Sequence, residues 1–477
     1  MLYGYIVSVG YLAVIILFFS FLNKKFKVDV EITRKILHIL IGFTWVFMDI
    51  FWGVSYHQII MCGIFVVVNS ISRKFEIFPG IERKGSSDHP GTVYYALAML
   101  ILAIVSYLYP PMYYPFGMAV MCLSFGDGIA PLFALIFKKH NIKLVANKTL
   151  AGSLACLVFS FVALIVFNVC YKLNFSIVSL FAIASVATIM ELFVQNGLDN
   201  FGITFSVALF ALGITLNFFS TAFYICVVLA FVVVLAILIT RSLTVSAAFL
   251  AYIMLLVSAY CAGYFGLLLY VLPFAIIAVA GKIRSVVLKK RGFEKEKKGR
   301  NFVQVAINGS LTMICLIIFK VTDMIGFFVL AAVAIAEAFA DSMASDIGSL
   351  SKKEPFDLFR FKRVQSGISG GMSLLGSTSA LVSSLVVALI CFGFTKNPID
   401  IAFVLGFGFF GTLIDSLLGS YFQALYLCPI CGKQTEKRIH HTHITTLIKG
   451  NKRITNNTVN LLSNIITTAI AAVYFII

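Results

Sequence analysis

Val227-Val-Leu-Ala-Phe-Val-Val-Val-Leu-Ala-Ile-Leu-Ile239 is an unbroken apolar run. A strand of an outer-membrane barrel alternates lipid-facing and lumen-facing side chains, and this run does not alternate. In hydrocarbon its amides must therefore be satisfied within the segment, which only a helix can do. The rest of the chain agrees with that reading. Of 477 residues 60% are apolar and 12% charged, with a mean hydropathy of +1.00. Soluble domains are about a quarter charged, and a soluble fold of this composition would expose far too much apolar surface. Soluble globular, disordered, coiled-coil and disulfide-framework classes are excluded. A span needs about 20 apolar residues, and that ruler predicts about sixteen transmembrane helices, from 3–22 to 459–477. The expected fold is an all-α polytopic integral membrane protein.

The basic residues predict the topology. With the first terminus outside, alternate connections carry 34 of the 37 Lys and Arg, leaving only Lys172, Lys320 and Lys396 for the opposite face. The positive-inside rule supplies the cause and makes the basic face cytoplasmic, with the protein expected in the cell membrane. The net charge of +17 is then mostly topological, with some attraction to anionic lipid heads. No nucleic-acid recognition module is visible. The first span lacks a basic leader and a small-residue cleavage pattern, so it is expected to be a retained helix.

Several inner loops are richer in Gly, Asp, Asn and Lys than connectors need to be. In the first half these are Arg34-Lys35 with His38 and Gly42; the stretch Arg73–Tyr95, with Glu76, Arg83 and His89-Pro90-Gly91-Thr92; Gly126-Asp127-Gly128 followed by Lys138-Lys139, Lys143 and Asn147-Lys148-Thr149 with Gly152-Ser153; and Gly197-Leu198-Asp199-Asn200. An acid at a helix end in a bilayer is costly and invites a functional reading. Asp127 could take Mg²⁺, the lysines could offset phosphate oxygens, and free N–H groups at the helix start of Gly152-Ser153 could face an anion. The same lysines would serve equally as topological anchors, and the same glycines as close packing points. Neither a Walker-type lysine loop nor a kinase glycine-rich loop occurs.

In their order, these motifs resemble the dolichol kinase and phytol kinase family over roughly residues 30–215. The resemblance implies a membrane-embedded, usually CTP-dependent kinase of isoprenoid alcohols; phosphatidate cytidylyltransferases share some of the same logic. The segment after Asp199-Asn200 runs Phe201-Gly202-Ile203 where that family has a proline.

From about Arg241 the pattern restarts. The charged loop Lys289–Arg300 is followed by Asn308-Gly309, Asp341 with Ser345-Asp346-Ile-Gly348, Lys362-Arg363 with Gly367-Ile-Ser369-Gly370-Gly371, Asp415, and Asn457, Asn460 and Asn464. The three asparagines share one helix face; they either pack between helices or line a site. Gly367-x-Ser369-x-Gly371 has nucleophile-elbow spacing without the strand that motif needs, so it reads as chance. A Gly/Ser loop after two basic residues suits phosphate better. This half resembles the family of transmembrane protein 19 and the plant phytyl-phosphate kinase, with Asp346 where that family has Glu. The resemblance implies phosphorylation of a prenyl monophosphate. The halves also echo each other: Asp127 and Asp341 are each followed by Lys-Lys and then by a single Lys at matching offsets. Two modules, 1–240 and 241–477, are expected on one phosphate-binding plan.

The expected function is a bifunctional isoprenoid lipid kinase taking a prenol to its monophosphate and then to its diphosphate with CTP or another nucleoside triphosphate. The alternatives are CDP-lipid synthesis and a membrane transporter. Expected catalytic residues are Asp127, Lys148, Asp341, Asp346 and Asp415, with Asp127, Asp341 and Asp415 as Mg²⁺ ligands. Expected nucleotide or phosphate ligands are Arg34, Lys35, His38, Gly126, Gly128, Lys138, Gly152, Ser153, Asp199 and Asn200, then Lys362, Arg363, Gly370, Gly371, Asn457, Asn460 and Asn464.

Most of the ten cysteines lie singly in apolar spans, where they act as small hydrophobes. Cys428-Pro-Ile-Cys431 with His440 and His443 offers the donors of a structural zinc site, although the histidine spacing is shorter than in a finger and polar loops often carry histidines without a metal.

Overall fold

The computed structural model describes residues 2–26, 30–75, 91–195, 197–290, 299–365, 368–432 and 434–475. Glu76, Arg83, His89-Pro90, Gly367 and most of the charged loop after Lys290 lie outside them. The chain divides into two compact units, Met1–Phe231 and Val232–Ile477.

The first unit holds α1 (Leu2–Phe26), α2 (Val30–Trp52), α3 (Tyr56–Phe75), α4 (Gly91–Leu108), α5 (Tyr113–Met121) and α6 (Gly128–Ile136). A short hairpin of β1 (Lys143–Val145) and β2 (Lys148–Thr149) leads into α7 (Leu150–Cys170), α8 (Ile177–Phe193) and α9 (Asp199–Thr215). Helix α10 (Thr221–Thr240) carries the chain onward. Helices α5 and α6 form one rod, joined by a π-helical turn at Cys122–Asp127, the kind of wide turn that recurs at functional sites.

The second unit holds α11 (Val245–Lys290), α12 (Phe302–Thr322) and α13 (Ile325–Gly348). A small sheet of β3 (Phe356–Asp357), β4 (Lys362–Arg363) and β5 (Gly371–Met372) precedes α14 (Leu374–Thr395) and α15 (Ile399–Tyr421). A β-rich excursion follows: β6 (Leu425–Leu427), β7 (Gln434–Thr435), β8 (Ile439–His440), β9 (His443–Ile444) and β10 (Thr446–Lys449), before α16 (Asn456–Val473). Helix α13 is the axis of this unit, packed by α11, α12, α14, α15 and α16. Its Ala331, Ala332, Ala334 and Ala336 are fully buried; small side chains let helix backbones approach where lipid gives no hydrophobic drive.

Twelve described helices are long and apolar enough to cross a membrane, with two shorter apolar ones, α8 and α9. Length and hydropathy thus support twelve, short of the sixteen expected, for three physical reasons. Helices α8 and α9 are each 17 residues. Two expected spans are one element, α11, broken at Ala262 and Gly263, where Gly263 takes φ +55. Helix α16 spreads Asn456, Asn457, Asn460 and Asn464 along its first half, which lowers its hydropathy. Outward faces stay apolar: Val14, Leu17, Val158 and Val382 are all more than half exposed, as side chains meeting lipid tails would be.

Candidate active sites in the two units

In the first unit the π turn delivers Asp127, buried at 3% exposure, to the start of α6. Pro131 stands four residues later inside α6. Lacking an N–H, it cannot bond the Asp127 carbonyl. That freed oxygen is taken by Lys35 of α2, whose Nζ donates to it at 3.1 Å and to Asp127 Oδ2 at 2.7 Å. His38, one turn along α2, places Nε2 3.7 Å from the same carboxylate oxygen, and its ring lies against Tyr95. Asp127 Oδ1 is buried with no partner among the described residues. Lys35 thus neutralises one side of the carboxylate and leaves the other oxygen open to a cation.

The hairpin sets Lys148 immediately before the helix it precedes. Thr149 caps α7 by accepting from the Gly152 N–H at 3.3 Å, and Asn141 braces the turn by accepting from Ala151 N at 3.0 Å. Lys148 Nζ pairs with Glu191 of α8, which is 2% exposed. Burial opposes the ammonium, but Glu191 first and Asp127 next outweigh it and hold Lys148 above the ordinary lysine range. Gly152 comes close to α6: a Cβ there would stand 3.1 Å from the Ala130 carbonyl oxygen. Ser153 is buried, with its hydroxyl unpartnered among the described residues. Asp199 opens α9, and Asn200 ties that helix start to α4 through the Gly91 carbonyl at 3.0 Å. Gly126 sits against Ser160, and Gly128 against Ile39 of α2. Lys138 is exposed on the short turn before the hairpin and joins none of these contacts.

In the second unit α13 presents Glu337 and Asp341 one turn apart, and α16 presents Asn460 and Asn464 at the same spacing. The two pairs meet as a ladder. Asn460 Nδ2 donates to Asp341 at 3.3 Å, and Asn464 Nδ2 to Glu337 at 2.6 Å. Ser463 donates to Glu337 at 2.7 Å and lies 3.4 Å from Asp415 of α15. Three carboxylates from two helices, Glu337 and Asp415 buried and Asp341 partly so, therefore converge on one asparagine/serine face. Asn457 is half-buried at the start of α16 and takes no part in the ladder. Asp346 ends α13 differently, held by Arg284 at 2.9 Å with Arg300 at 3.8 Å. Burial lowers the basicity of Arg300 while Asp346 and Asp341 oppose the shift.

Lys362 and Arg363 lie exposed on β4. Gly370, at φ +91, rests on Ser420 at the end of α15, where a Cβ would meet backbone at 2.8 Å. Gly371 continues into β5, and Ser373 then caps α14 through Gly376 N at 3.1 Å. In the excursion after α15, Cys428, Cys431 and His440 bring their ligand atoms together, whereas His443 turns Nδ1 to the His441 carbonyl at 2.8 Å.

Glu191, Glu337 and Ser463 were not among the expected site residues. Both glutamates are lone acids inside apolar runs, Ile189-Met190-Glu191-Leu192 and Ala336-Glu337-Ala338. An ionisable residue there is a functional signal in its own right. The matched Lys at the same offset from Asp127 and Asp341 is not an equivalence: Lys148 directly precedes the cap of α7, whereas Lys362 lies on a separate strand well before the cap of α14.

These features define a polytopic, mostly helical membrane protein with a cluster of carboxylates, most of them buried, in each unit. The chain belongs to the family of integral membrane protein DUF92, whose profile matches residues 227–468. It is 29% identical over 209 residues to a phytol kinase of Synechocystis sp., covering 42% of this chain and 87% of that protein. It is 32% identical over 149 residues to Protein PGR of Arabidopsis thaliana and 28% over 158 residues to phytol kinase 1, chloroplastic, of the same plant, in each case spanning 51% of the relative. Those matches cover 28% and 31% of this chain. No solved structure matches the chain.

Proposed function

We propose that the chain is a bifunctional isoprenoid-alcohol kinase of the cell membrane, built from two related modules, 1–240 and 241–477. The first phosphorylates a prenol of the phytol, farnesol or geranylgeraniol type; the second converts the monophosphate to the diphosphate. CTP or another nucleoside triphosphate is the donor, with Mg²⁺, at the cytoplasmic face where the basic loops gather. One observation carries the reading. Asp127 and Asp341 each lie three residues before a carbonyl (Ala130, Ala344) that packs against the glycine (Gly152, Gly376) of a side-chain-capped helix start. The phytol kinases among the relatives support reading that plan as one for phosphorylating a prenol.

The open Asp127 oxygen and the Glu337–Asp341–Asp415 group are the donors that fit a hard divalent cation. When bound, such an ion would offset charge on the transferring phosphoryl group. The chain's own part is alignment and charge. Lys35 and Lys148 offset phosphate oxygens at the first site, and Arg284 and Arg300 do so at the second, where the substrate head already carries one phosphate. The prenyl tail stays in the bilayer, and only the head group enters among these residues.

The test is transfer of label from γ-labelled CTP and ATP to a series of prenols, with full-length protein in detergent. Prenyl monophosphate followed by diphosphate is expected. Release of pyrophosphate with a CDP-lipid, or no nucleotide consumption, would contradict the reading.

A further inference from the structure

The four-helix order of the first unit, α6 to α9, returns in the second as α13 to α16, with a three-stranded sheet in place of the hairpin before the second helix and a longer excursion before the fourth. Where residues 194–198 separate α8 from α9, residues 422–455 stand between α15 and α16. Strand β6 ends at Leu427 and delivers Cys428 into a buried position. The turn closes when Gly432 N–H donates to the Cys428 carbonyl at 3.0 Å, with Gly432 at φ +65, which brings Cys431 round beside Cys428. The β8–β9 hairpin then supplies His440, whose Nδ1 is 3.6 Å from Cys431 Sγ. The ligand atoms of Cys428, Cys431 and His440 lie within 4.8 Å of one another, and both thiols are free.

We propose that Cys428, Cys431 and His440 hold a structural zinc ion, and that this ion clamps the glycine turn beside Asp415. Two thiolates and an imidazole suit zinc and disfavour magnesium or calcium. His443 faces a carbonyl and stands outside the set. Between the second and third ligands lies Glu436, whose Oε1 accepts the Ser369 N–H at 2.9 Å. Ser369 and Gly370 in turn press on Gly419 and Ser420 in the last turn of α15, the helix that carries Asp415. Fixing both ends of the Glu436 segment to one metal therefore fixes the turn that Glu436 holds. This goes beyond the kinase reading, and its test uses no activity.

Full-length protein purified in detergent, incubated with Zn²⁺ and freed of excess, is analysed for metal by mass spectrometry. About one zinc per chain is expected, retained in His443→Ala and lost in Cys431→Ser and His440→Ala, each checked for monodispersity by size exclusion. Trypsin cleavage at Lys362 and Arg363 reads the clamp. Stripping wild-type protein with a zinc chelator should raise that cleavage several-fold, and added Zn²⁺ should reverse it, while Cys431→Ser cleaves fast with or without chelator. Metal-free wild-type protein, zinc retained in Cys431→Ser, or zinc lost in His443→Ala overturns the ligand set. Zinc bound in wild type with unchanged cleavage on stripping overturns the clamp.

Discussion

Gly152 packs against the carbonyl oxygen of Ala130, so that a Cβ on it would stand 3.1 Å away. In the other unit Gly376 stands to Ala344 in the same way, at 2.9 Å. Each carbonyl belongs to the residue three beyond an aspartate, Asp127 or Asp341, and each glycine is the third residue of a helix capped by a hydroxyl side chain. A backbone oxygen cannot swing aside as a flexible side chain can. Gly376→Ala should therefore lower stability by about 1–3 kcal/mol, read as a fall in detergent melting temperature. Gly406→Ala, in open space on α15, should be neutral or stabilising by roughly 0.5–1 kcal/mol. Equal melting temperatures for the two variants would show that the close approach is not a constraint.

Lys148, itself 23% exposed, pairs with the buried Glu191. Removing the lysine alone strands a carboxylate, which costs about 3–5 kcal/mol. Lys148→Met should unfold at markedly lower temperature, and Lys148→Met/Glu191→Gln should recover most of the loss. Prenol phosphorylation should be absent from both. Activity in the stable double variant would reduce Lys148 to a structural role.

Much of this was legible in the sequence. Val227–Ile239 and its counterparts gave the helical class, because hydrocarbon leaves a continuous apolar run no other option. Asp127, Asp341 and Asp415 stood out as acids bordered by glycine or serine. Glu191 and Glu337 did not, because no motif surrounds them and their partners arrive from other helices: Lys148 from a hairpin, Ser463 and Asn464 from α16. The Lys148–Lys362 echo misled because offsets along a chain ignore loops. A three-stranded sheet stands before α14 where a two-stranded hairpin stands before α7, which shifts the lysine away from the helix start.

Glu337 accepts from Ser463 on one oxygen and from Asn464 on the other. Glu337→Leu removes both acceptors, strands the Ser463 and Asn464 donors, and displaces the ladder that also orients Asp341. Conversion of prenyl monophosphate to diphosphate should fall about a hundredfold, with prenol phosphorylation unchanged. Equal loss of both steps would tie Glu337 to the whole protein's integrity and remove it from the second site.

One product analysis tests most directly whether the two carboxylate sites catalyse successive steps. Asp127→Asn and Asp341→Asn are each given a prenol, or its monophosphate, with γ-labelled nucleotide, and the products are separated by thin-layer chromatography. Asp127→Asn should lose prenol phosphorylation by about a hundredfold or more yet still convert supplied monophosphate to diphosphate. Asp341→Asn should phosphorylate prenol normally and accumulate the monophosphate. Loss of both steps in either single variant would contradict two sites and require one shared active centre.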